Sequence, residues 1–274
     1  MMEIYSYWEQ KGNKVFSETL LEHIVGALNL LNLKENSKID VFGNRLSPRF
    51  NDIVRLAVIF HDIGKLFYQT SYYIDREKKH QVMSFRGHEY FSTYIFQTFR
   101  INLLERSLLK DEDIEMFVDY GAVVFSILYH HHAMGTKKRE YTLHRRSLEK
   151  SLFLLDRLRN YMRELNRNGW LTDEEYDVIV FTLNKEYILS FSSIPISAVI
   201  KEYIDDIWRE TIKNPKFRRL CLLSLMTLIT VDYISAARRR SVSTTRFSKI
   251  LREFYEYYFS PLNSVNKDVK NILK

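Results

Sequence analysis

The sequence predicts an all-α fold in a single domain, and three observations lead to that expectation. Hydrophobic residues make up 46% of the 274 residues, which is enough to form a sizeable core. Glycine and proline are scarce, with 8 and 4 residues, whereas a turn-rich sheet protein needs many of both. Apolar residues recur at helical spacing along most of the chain. Since no repeat or low-complexity linker is evident, we expect one domain over 1–274, with its core at about 17–259.

The first half of the chain contains four predicted helices. Ser17 is the expected N-cap of the first, over "ETLLEHIVGALNLLNL". The second covers 50–60, and Gly64 marks its expected end. The polar stretch at 70–86 is expected to be a loop. Helical spacing returns from Gly87 and again in "DEDIEMFVDYGAVVFSILYHHH", whose first turn carries acidic residues that suit the helix dipole.

The second half of the chain is helical as well. Residues 147–165 are amphipathic and highly charged. A capping box, Thr172 to Glu175, precedes the helix expected over "YDVIVFTLNKEYILSF". The remaining helices are expected over "AVIKEYIDDIWRETI" with a stop at Asn214-Pro215, from Phe217 to Arg240, and over "FSKILREFYEYYF".

Composition favours a soluble, cytoplasmic protein. The single cysteine, Cys221, excludes an internal disulfide framework and lies in an apolar stretch that is typical of a core. The N-terminal residues have no apolar segment of the signal-peptide type. The most apolar stretch, 220–234, is shorter than the roughly 20 residues that span a bilayer, so we expect no membrane partner.

A formal charge of +7 is compatible with a polyanionic partner. Two segments concentrate the positive charge, "TKKREYTLHRR" at 136–146 and "RRRSVSTTR" at 238–246. Taken alone, each segment could be a solvated helix flank.

Histidine and aspartate interrupt core-type sequence at several helix positions. One such residue is usually explained by capping or partial solvation, but a whole set is harder to explain, since buried charge is costly unless it is paired or coordinates a metal. Imidazole nitrogen and carboxylate oxygen are ligands that divalent transition metals prefer. The expected metal ligands are His23, His61, Asp62, His88, His130, His131 and Asp232.

The three consecutive histidines at 130–132 cannot all converge on one site, because neighbours on a helix point about 100° apart. His131 is chosen because it continues the apolar face of its helix. The choice of His130 rather than His132 as its companion stays open. His80 lies in a charged stretch without ligand spacing and is left out of the set.

The order of these residues resembles that of the HD-domain metal-dependent phosphohydrolases. Within that superfamily, "HDIGK", "GHEYFS" and the doubled histidine of "ILYHHHAMG" are similar to the HD nuclease of type I CRISPR interference systems, over roughly 20–240. The chain has no helicase signature such as "GxxxxGK[ST]", so it resembles the stand-alone form of that nuclease. The third histidine departs from the family pattern.

The resemblance implies a two-metal centre in the core of a single HD-domain helical bundle, holding Mn, Mg, Co, Ni or Fe. Asp62 would bridge the two ions. The other ligands would divide into His23, His61 and Asp232 on one side, and His88 with two of the histidines at 130–132 on the other. Two ions about 3.5 to 4 Å apart can clamp both oxygens of an in-line phosphoryl displacement and lower the pKa of water toward 7.

Further residues are expected near the substrate. Lys65, just past the catalytic Asp62, could hold a phosphate oxygen as a point charge, or could be a lysine that the helix dipole favours at a C-terminus. Arg239 could likewise contact phosphate or belong to a basic helix end. The substrate-binding residues expected on ligand-bearing helix faces are Ser92, Ser235 and Arg239.

Both basic segments follow directly on predicted ligands, which favours a polynucleotide over a free nucleotide. We therefore expect a nuclease acting on single-stranded DNA or RNA. The resemblance adds two protein partners, a separate helicase subunit and an RNA-guided surveillance complex. Two alternatives stay open, an HD phosphohydrolase of nucleotides or cyclic dinucleotides (although the "GYP" motif of the cyclic-dinucleotide branch is missing) and a non-catalytic HD scaffold.

Overall fold

The computed structural model of the chain describes residues 3–31, 37–70, 72–75, 80–106, 114–131, 148, 151–239 and 246–261. Helices dominate these residues, which confirms the predicted helical fold. A 3₁₀ helix, Ile63–Tyr68, follows the third α-helix, and another, Leu152–Leu154, precedes the sixth. The α-helices are α1 (Leu20–Leu30), α2 (Lys38–Leu46), α3 (Phe50–Phe60), α4 (His88–Arg106), α5 (Ile114–Tyr129), α6 (Leu155–Arg167), α7 (Asp173–Thr182), α8 (Lys185–Ser190), α9 (Ile196–Lys213), α10 (Pro215–Arg239) and α11 (Arg246–Tyr258).

Four short strands form an antiparallel sheet that was not expected. They are β1 (Tyr5–Lys11), β2 (Lys14–Thr19), β3 (Tyr72–Asp75) and β4 (His80–Met83), in the order β2-β1-β4-β3. β1 and β2 form a hairpin across the two residues Gly12 and Asn13. β3 and β4 occupy the stretch predicted to be a loop. Strands of four residues among charged neighbours are too short for their alternation to be recognised.

Two helix ends in the first half differ from those expected. The N-cap of α1 is Thr19, which forms a capping box with Glu22, whereas Ser17 lies inside β2. The hairpin therefore runs two residues further than the predicted helix start. α3 ends at Phe60, and Gly64 lies within the following 3₁₀ helix instead of ending α3.

The second half follows the prediction more closely. The capping box at 172–175 is present before α7. The helix expected after it divides into α7 and α8, because Asn184 starts a new helix by accepting a hydrogen bond from the backbone N–H of Tyr187 at 2.8 Å. α9 stops before Asn214 as expected, and α10 begins at the next residue.

α10 is the central helix and packs against α1, α2, α3, α5, α9 and α11. Cys221 is fully buried on it, and burial raises the pKa of its thiol, as expected of a core residue.

The segment Pro215–Ala237 is long and apolar enough to cross a membrane, and it exceeds the 220–234 stretch noted in the sequence. Half of its most apolar stretch is buried inside the protein, and the core helix of a soluble protein can have the same length and composition. These two properties alone therefore do not identify a membrane span.

Glycines allow the close approach that brings α4 to the end of α3. A Cβ added to Gly64 would lie 2.1 Å from the backbone oxygen of His88, so only glycine lets the 3₁₀ helix pack this tightly on α4. The backbone N–H of Gly64 donates to Oγ of Ser92 at 2.9 Å. Gly87, with φ of +90°, turns the chain into α4.

Candidate metal centre

The seven predicted ligands meet at one place in the core. His23 lies within α1, and Asp232 lies within α10. The other five lie at helix ends, directly after α3, at the first residue of α4, and directly after α5. Their ligand atoms form three overlapping groups, each within 4.8 Å: Asp62, His88, His130 and His131; His23, His61 and Asp62; His61, His130 and Asp232.

Asp62 lies between two sets of imidazoles, with one carboxylate oxygen facing each set. Its Oδ2 lies 3.4 Å from Nε2 of His23 and 3.5 Å from Nε2 of His61. Its Oδ1 lies 2.9 Å from Nε2 of His88 and 3.9 Å from Nε2 of His130. This geometry suits a carboxylate that two ions share.

Asp232 belongs to the side of His23 and His61. Its Oδ1 lies 2.9 Å from Nε2 of His23 and 3.8 Å from Nε2 of His61. The opposite side contains His88, His130 and His131. We call the first the α1/α10 side (His23, His61, Asp232) and the second the α4/α5 side (His88, His130, His131).

Main-chain carbonyls orient three of the histidines. In each case Nδ1 lies at hydrogen-bonding distance from the carbonyl three residues earlier: His61 to Val58 at 2.7 Å, His88 to Phe85 at 2.6 Å and His130 to Ile127 at 2.6 Å. A ring that donates from Nδ1 presents the lone pair of Nε2 as a ligand.

The Nε2 atoms of these three histidines are buried and face carboxylate oxygens of Asp62 and Asp232. With the proton on Nδ1, each Nε2 is an acceptor that faces other acceptors, so it has no hydrogen bond among the described residues. Buried polar atoms without a partner are uncommon in folded proteins. Divalent cations on the two sides of Asp62 would satisfy all three, and imidazole with carboxylate is a suitable donor set. The residues present therefore fit a divalent metal.

Electrostatics keep several of these groups in the form that binds a metal. Burial and neighbouring imidazoles lower the pKa of His130 to about 3. Burial and the adjacent His130 hold the pKa of His131 well below its ordinary value. Burial alone would raise the pKa of Asp62, but His61 and Lys65 hold it well below its usual range. Neutral imidazole and ionised carboxylate are the ligating forms.

His23 differs from His61, His88 and His130 because a carboxylate from another element, and not a main-chain carbonyl, lies beside its Nδ1. Glu89 also lies near Nδ1 of His88, at 3.6 Å, but that nitrogen already has the Phe85 carbonyl. Burial would lower its pKa, but the carboxylates of Asp232 and Glu18 outweigh that effect and raise it to about 9. Oε2 of Glu18 lies 3.5 Å from Nδ1 of His23. Sequence reasoning missed Glu18, because one acid in a strand has no ligand spacing.

Lys65 lies against the centre rather than in front of it. Its Nζ is 2.5 Å from Oδ2 of Asp62 and 3.2 Å from the backbone oxygen of Ser6, and the residue is 7% exposed. These contacts position the Asp62 carboxylate. A contact between Lys65 and substrate phosphate stays a prediction.

The two serines expected to bind substrate hold main chain beside the ligands. Ser92 is fully buried and accepts from Gly64 as described above. Ser235 donates to the backbone oxygen of His23 at 3.3 Å and is 3% exposed. Direct contact of either hydroxyl with substrate stays a prediction.

Other predicted positions are not tested by this geometry. The side chain of Arg239 and all of His132 lie outside the described residues. His80, left out of the ligand set, pairs with Glu9 at 2.7 Å in the sheet and belongs to none of the metal-type groups found in the described part of the chain.

The fold is mostly helical, and several helices converge on a buried cluster of histidine and aspartate. These two features are typical of metal-binding helical proteins. Within that class, a family model described as HD domain matches residues 20–161, more than half of the chain, and the chain belongs to this family. Its members are typically metal-dependent hydrolases. No curated protein and no solved structure matches the chain. Asp232 and the β1–β2 hairpin lie outside the matched residues.

Proposed function

We propose that this protein is a nuclease that hydrolyses phosphodiester bonds of single-stranded DNA or RNA, using two divalent ions held by the centre. The main support for this proposal is the position at which the centre opens to solvent. Family membership supports a metal-dependent hydrolase. The choice of a polynucleotide substrate rests on the charges beside that opening.

The solvent-facing edge of the centre consists of His131 and Asp232. The remaining five ligands are at most 5% exposed. His131 is half-buried, and the side chain of Asp232 is 19% exposed. A substrate therefore reaches the ligands from this edge, while the opposite side of the centre is closed by protein.

The chain continues from both edge residues into basic sequence. Segment 136–146 begins five residues after His131, and five residues of extended chain reach about 18 Å at most. Segment 238–246 begins six residues after Asp232, which is about 9 Å along a helix. Each basic segment thus begins a short chain distance from the opening, which favours a polyanionic strand as substrate.

The side chains of the centre have distinct tasks in such a reaction. When bound, the divalent ions supply Lewis acidity and an activated water for in-line displacement at phosphorus. Asp62 couples the two sides, since each of its oxygens faces a different set of imidazoles. Lys65 orients that carboxylate through its contact with Oδ2. The buried surroundings keep water away from the rear of the ligands, which strengthens charge interactions there.

We further propose a place for this activity on the basis of the resemblance alone. The nuclease would act in CRISPR interference, where a separate helicase subunit and an RNA-guided surveillance complex expose a single strand. The supporting features are the "HDIGK" and "ILYHHHAMG" segments. This role requires that a single strand be cut faster than a duplex.

The test is a cleavage assay with Mn²⁺ and a panel of labelled single-stranded DNA, single-stranded RNA, duplex DNA, nucleotides and cyclic dinucleotides. Degradation of single strands, falling steeply with added KCl, supports the proposal. Turnover of nucleotides alone would instead favour the nucleotide phosphohydrolase. Asp62→Ala should abolish cleavage. Asp52→Ala is the matched control, because Asp52 is an exposed residue of α3 that pairs only with Arg55 among the described residues.

A further inference from the structure

β2 buries an acid and exposes its apolar residues, which is the reverse of ordinary strand patterning. Val15 and Phe16 are 54% and 47% exposed, whereas Glu18 is 2% exposed. A buried carboxylate is costly unless other groups compensate its charge. The imidazole of His23 lies beside this carboxylate, with Nδ1 at 3.5 Å from Oε2 of Glu18. The strand therefore directs this acid at the metal centre.

A shift in strand pairing lets the hairpin contact the centre at a second point. The register of β1 against β2 shifts between Tyr5 and Tyr7, as in a β-bulge, and such irregularities redirect side chains. Ser6 lies at this shift and is 2% exposed. Its Oγ donates to Oε2 of Glu18 at 3.4 Å, and its carbonyl accepts from Nζ of Lys65 at 3.2 Å.

The 3₁₀ helix and the residue that follows it hold the hairpin in this position. The side chain of Gln69 accepts from the backbone N–H of Tyr5 at 2.8 Å and donates to its carbonyl at 3.0 Å. The backbone N–H of Leu20 donates to the carbonyl of Ile4 at 2.7 Å. The hairpin is thereby fixed to the segment that carries Lys65 and to the start of the helix that carries His23.

His23 needs such a partner because of its place in α1. The last carbonyls of a helix have no intrahelical donor, and carbonyls of loops are not engaged by a helix either. A histidine at a helix end can therefore place its Nδ1 against such a carbonyl. His23 is the fourth of the eleven residues of α1, where the preceding carbonyls are engaged by the helix itself. A carboxylate from another element is the alternative.

We propose that the β1–β2 hairpin, residues 5–19, is a component of the metal centre, and that Glu18 is a positioning residue that holds Nδ1 of His23 so that Nε2 faces the metal. This inference rests on the metal centre of the proposed function, but not on its substrate. Through Ser6, the same hairpin holds Lys65 against Asp62. The hairpin thus supports one ligand from each of two helix segments, although it lies outside the matched family residues.

The test compares Mn²⁺ binding by calorimetry in the full chain and in Glu18→Ala, Glu18→Gln and Glu22→Gln. Loss of the Glu18 carboxylate should weaken binding of one ion by about 10- to 100-fold, as for other carboxylates behind ligating histidines. Glu18→Gln keeps an oxygen acceptor and should fall between the full chain and Glu18→Ala. Glu22→Gln is the matched control, because it makes the same charge change on an exposed residue and preserves the capping box.

A merely structural role would lower the melting temperature of the metal-free protein and leave Mn²⁺ affinity unchanged. Wild-type affinity in both Glu18 variants would overturn the proposal, and so would an absence of Mn²⁺ binding in the wild type. If Glu18→Ala does not fold, Glu18→Gln carries the test, with Ser6→Ala as a milder variant expected to weaken binding less. A protein that binds Mn²⁺ as predicted but cleaves no strand would refute only the nuclease proposal.

Discussion

The two sides of the metal centre are held in different ways. On the α4/α5 side, His88 and His130 are oriented by carbonyls three residues earlier in their own segments. On the α1/α10 side, His23 has its Nδ1 beside a carboxylate from β2, and Ser235 of α10 donates to its carbonyl. Local backbone therefore organises His88 and His130 on the α4/α5 side, whereas on the α1/α10 side it organises only His61, and His23 depends on elements distant in sequence.

This difference follows from where each ligand lies on its helix. A histidine at a helix end finds an unused carbonyl within its own turn, whereas a histidine inside a helix does not. The α1/α10 side should accordingly be more sensitive to changes elsewhere in the chain. Single substitutions can separate the two sides, and Asp62 is the residue that both sides share.

Asp62→Asn should have the largest effect, because its two oxygens face both sides. Strand cleavage should fall by at least about a thousandfold, equivalent to about 4 kcal/mol of transition-state stabilisation. Calorimetry should show weaker binding at both metal positions. Asp52→Asn should behave as wild type. Two ions bound with wild-type affinity in Asp62→Asn would show that this carboxylate is not shared.

His23→Ala and His88→Ala should each weaken a different ion. Each variant removes one imidazole from one side, so the number of tightly bound Mn²⁺ should fall from two to one in both. Cleavage should drop by at least about a hundredfold, or about 2.7 kcal/mol. If both variants lost the same ion, the division into two sides would be wrong.

Gly64→Ala should destabilise the protein by about 3 kcal/mol, the upper end of the usual overpacking range, because the new Cβ meets backbone of α4. Gly26→Ala on the other side is the matched variant. Its Cβ would meet only the hydroxyl of Ser235, at 2.4 Å, and that side chain can rotate away. The better helix propensity of alanine offsets the contact, so stability should change by less than about 1 kcal/mol. Urea unfolding measures both, and equal losses would contradict the account.

Smaller losses of stability than that of Gly64→Ala are expected for the two serines. Ser92→Ala leaves the buried N–H of Gly64 without its acceptor and should cost about 1 to 2 kcal/mol of unfolding free energy. Ser235→Ala removes a longer bond, of 3.3 Å, and should cost about 0.5 to 1 kcal/mol. A reversed order in urea unfolding would mean that the α1–α10 contact stabilises more than its geometry indicates.

The same contrast explains what could be predicted from the sequence. The ligands at helix ends follow apolar runs, so His61, Asp62, His130 and His131 were recognisable from local pattern and order. Glu18 was not, because its role depends on the register of a hairpin and on the shift beside Ser6. The hairpin itself carries a usable signal, since Gly12-Asn13 separates "YSYWEQK", with its aromatic residues, from "KVFSET", with its valine, phenylalanine and threonine.

The central claim is that distant imidazoles and two acids form one metal centre. Anomalous diffraction from crystals soaked in Mn²⁺ tests it most directly. The account predicts two peaks, both within bonding distance of the Asp62 carboxylate, one beside His23 and one beside His88. A protein with no peak at Asp62, or with Mn²⁺ bound only at other positions, would contradict it.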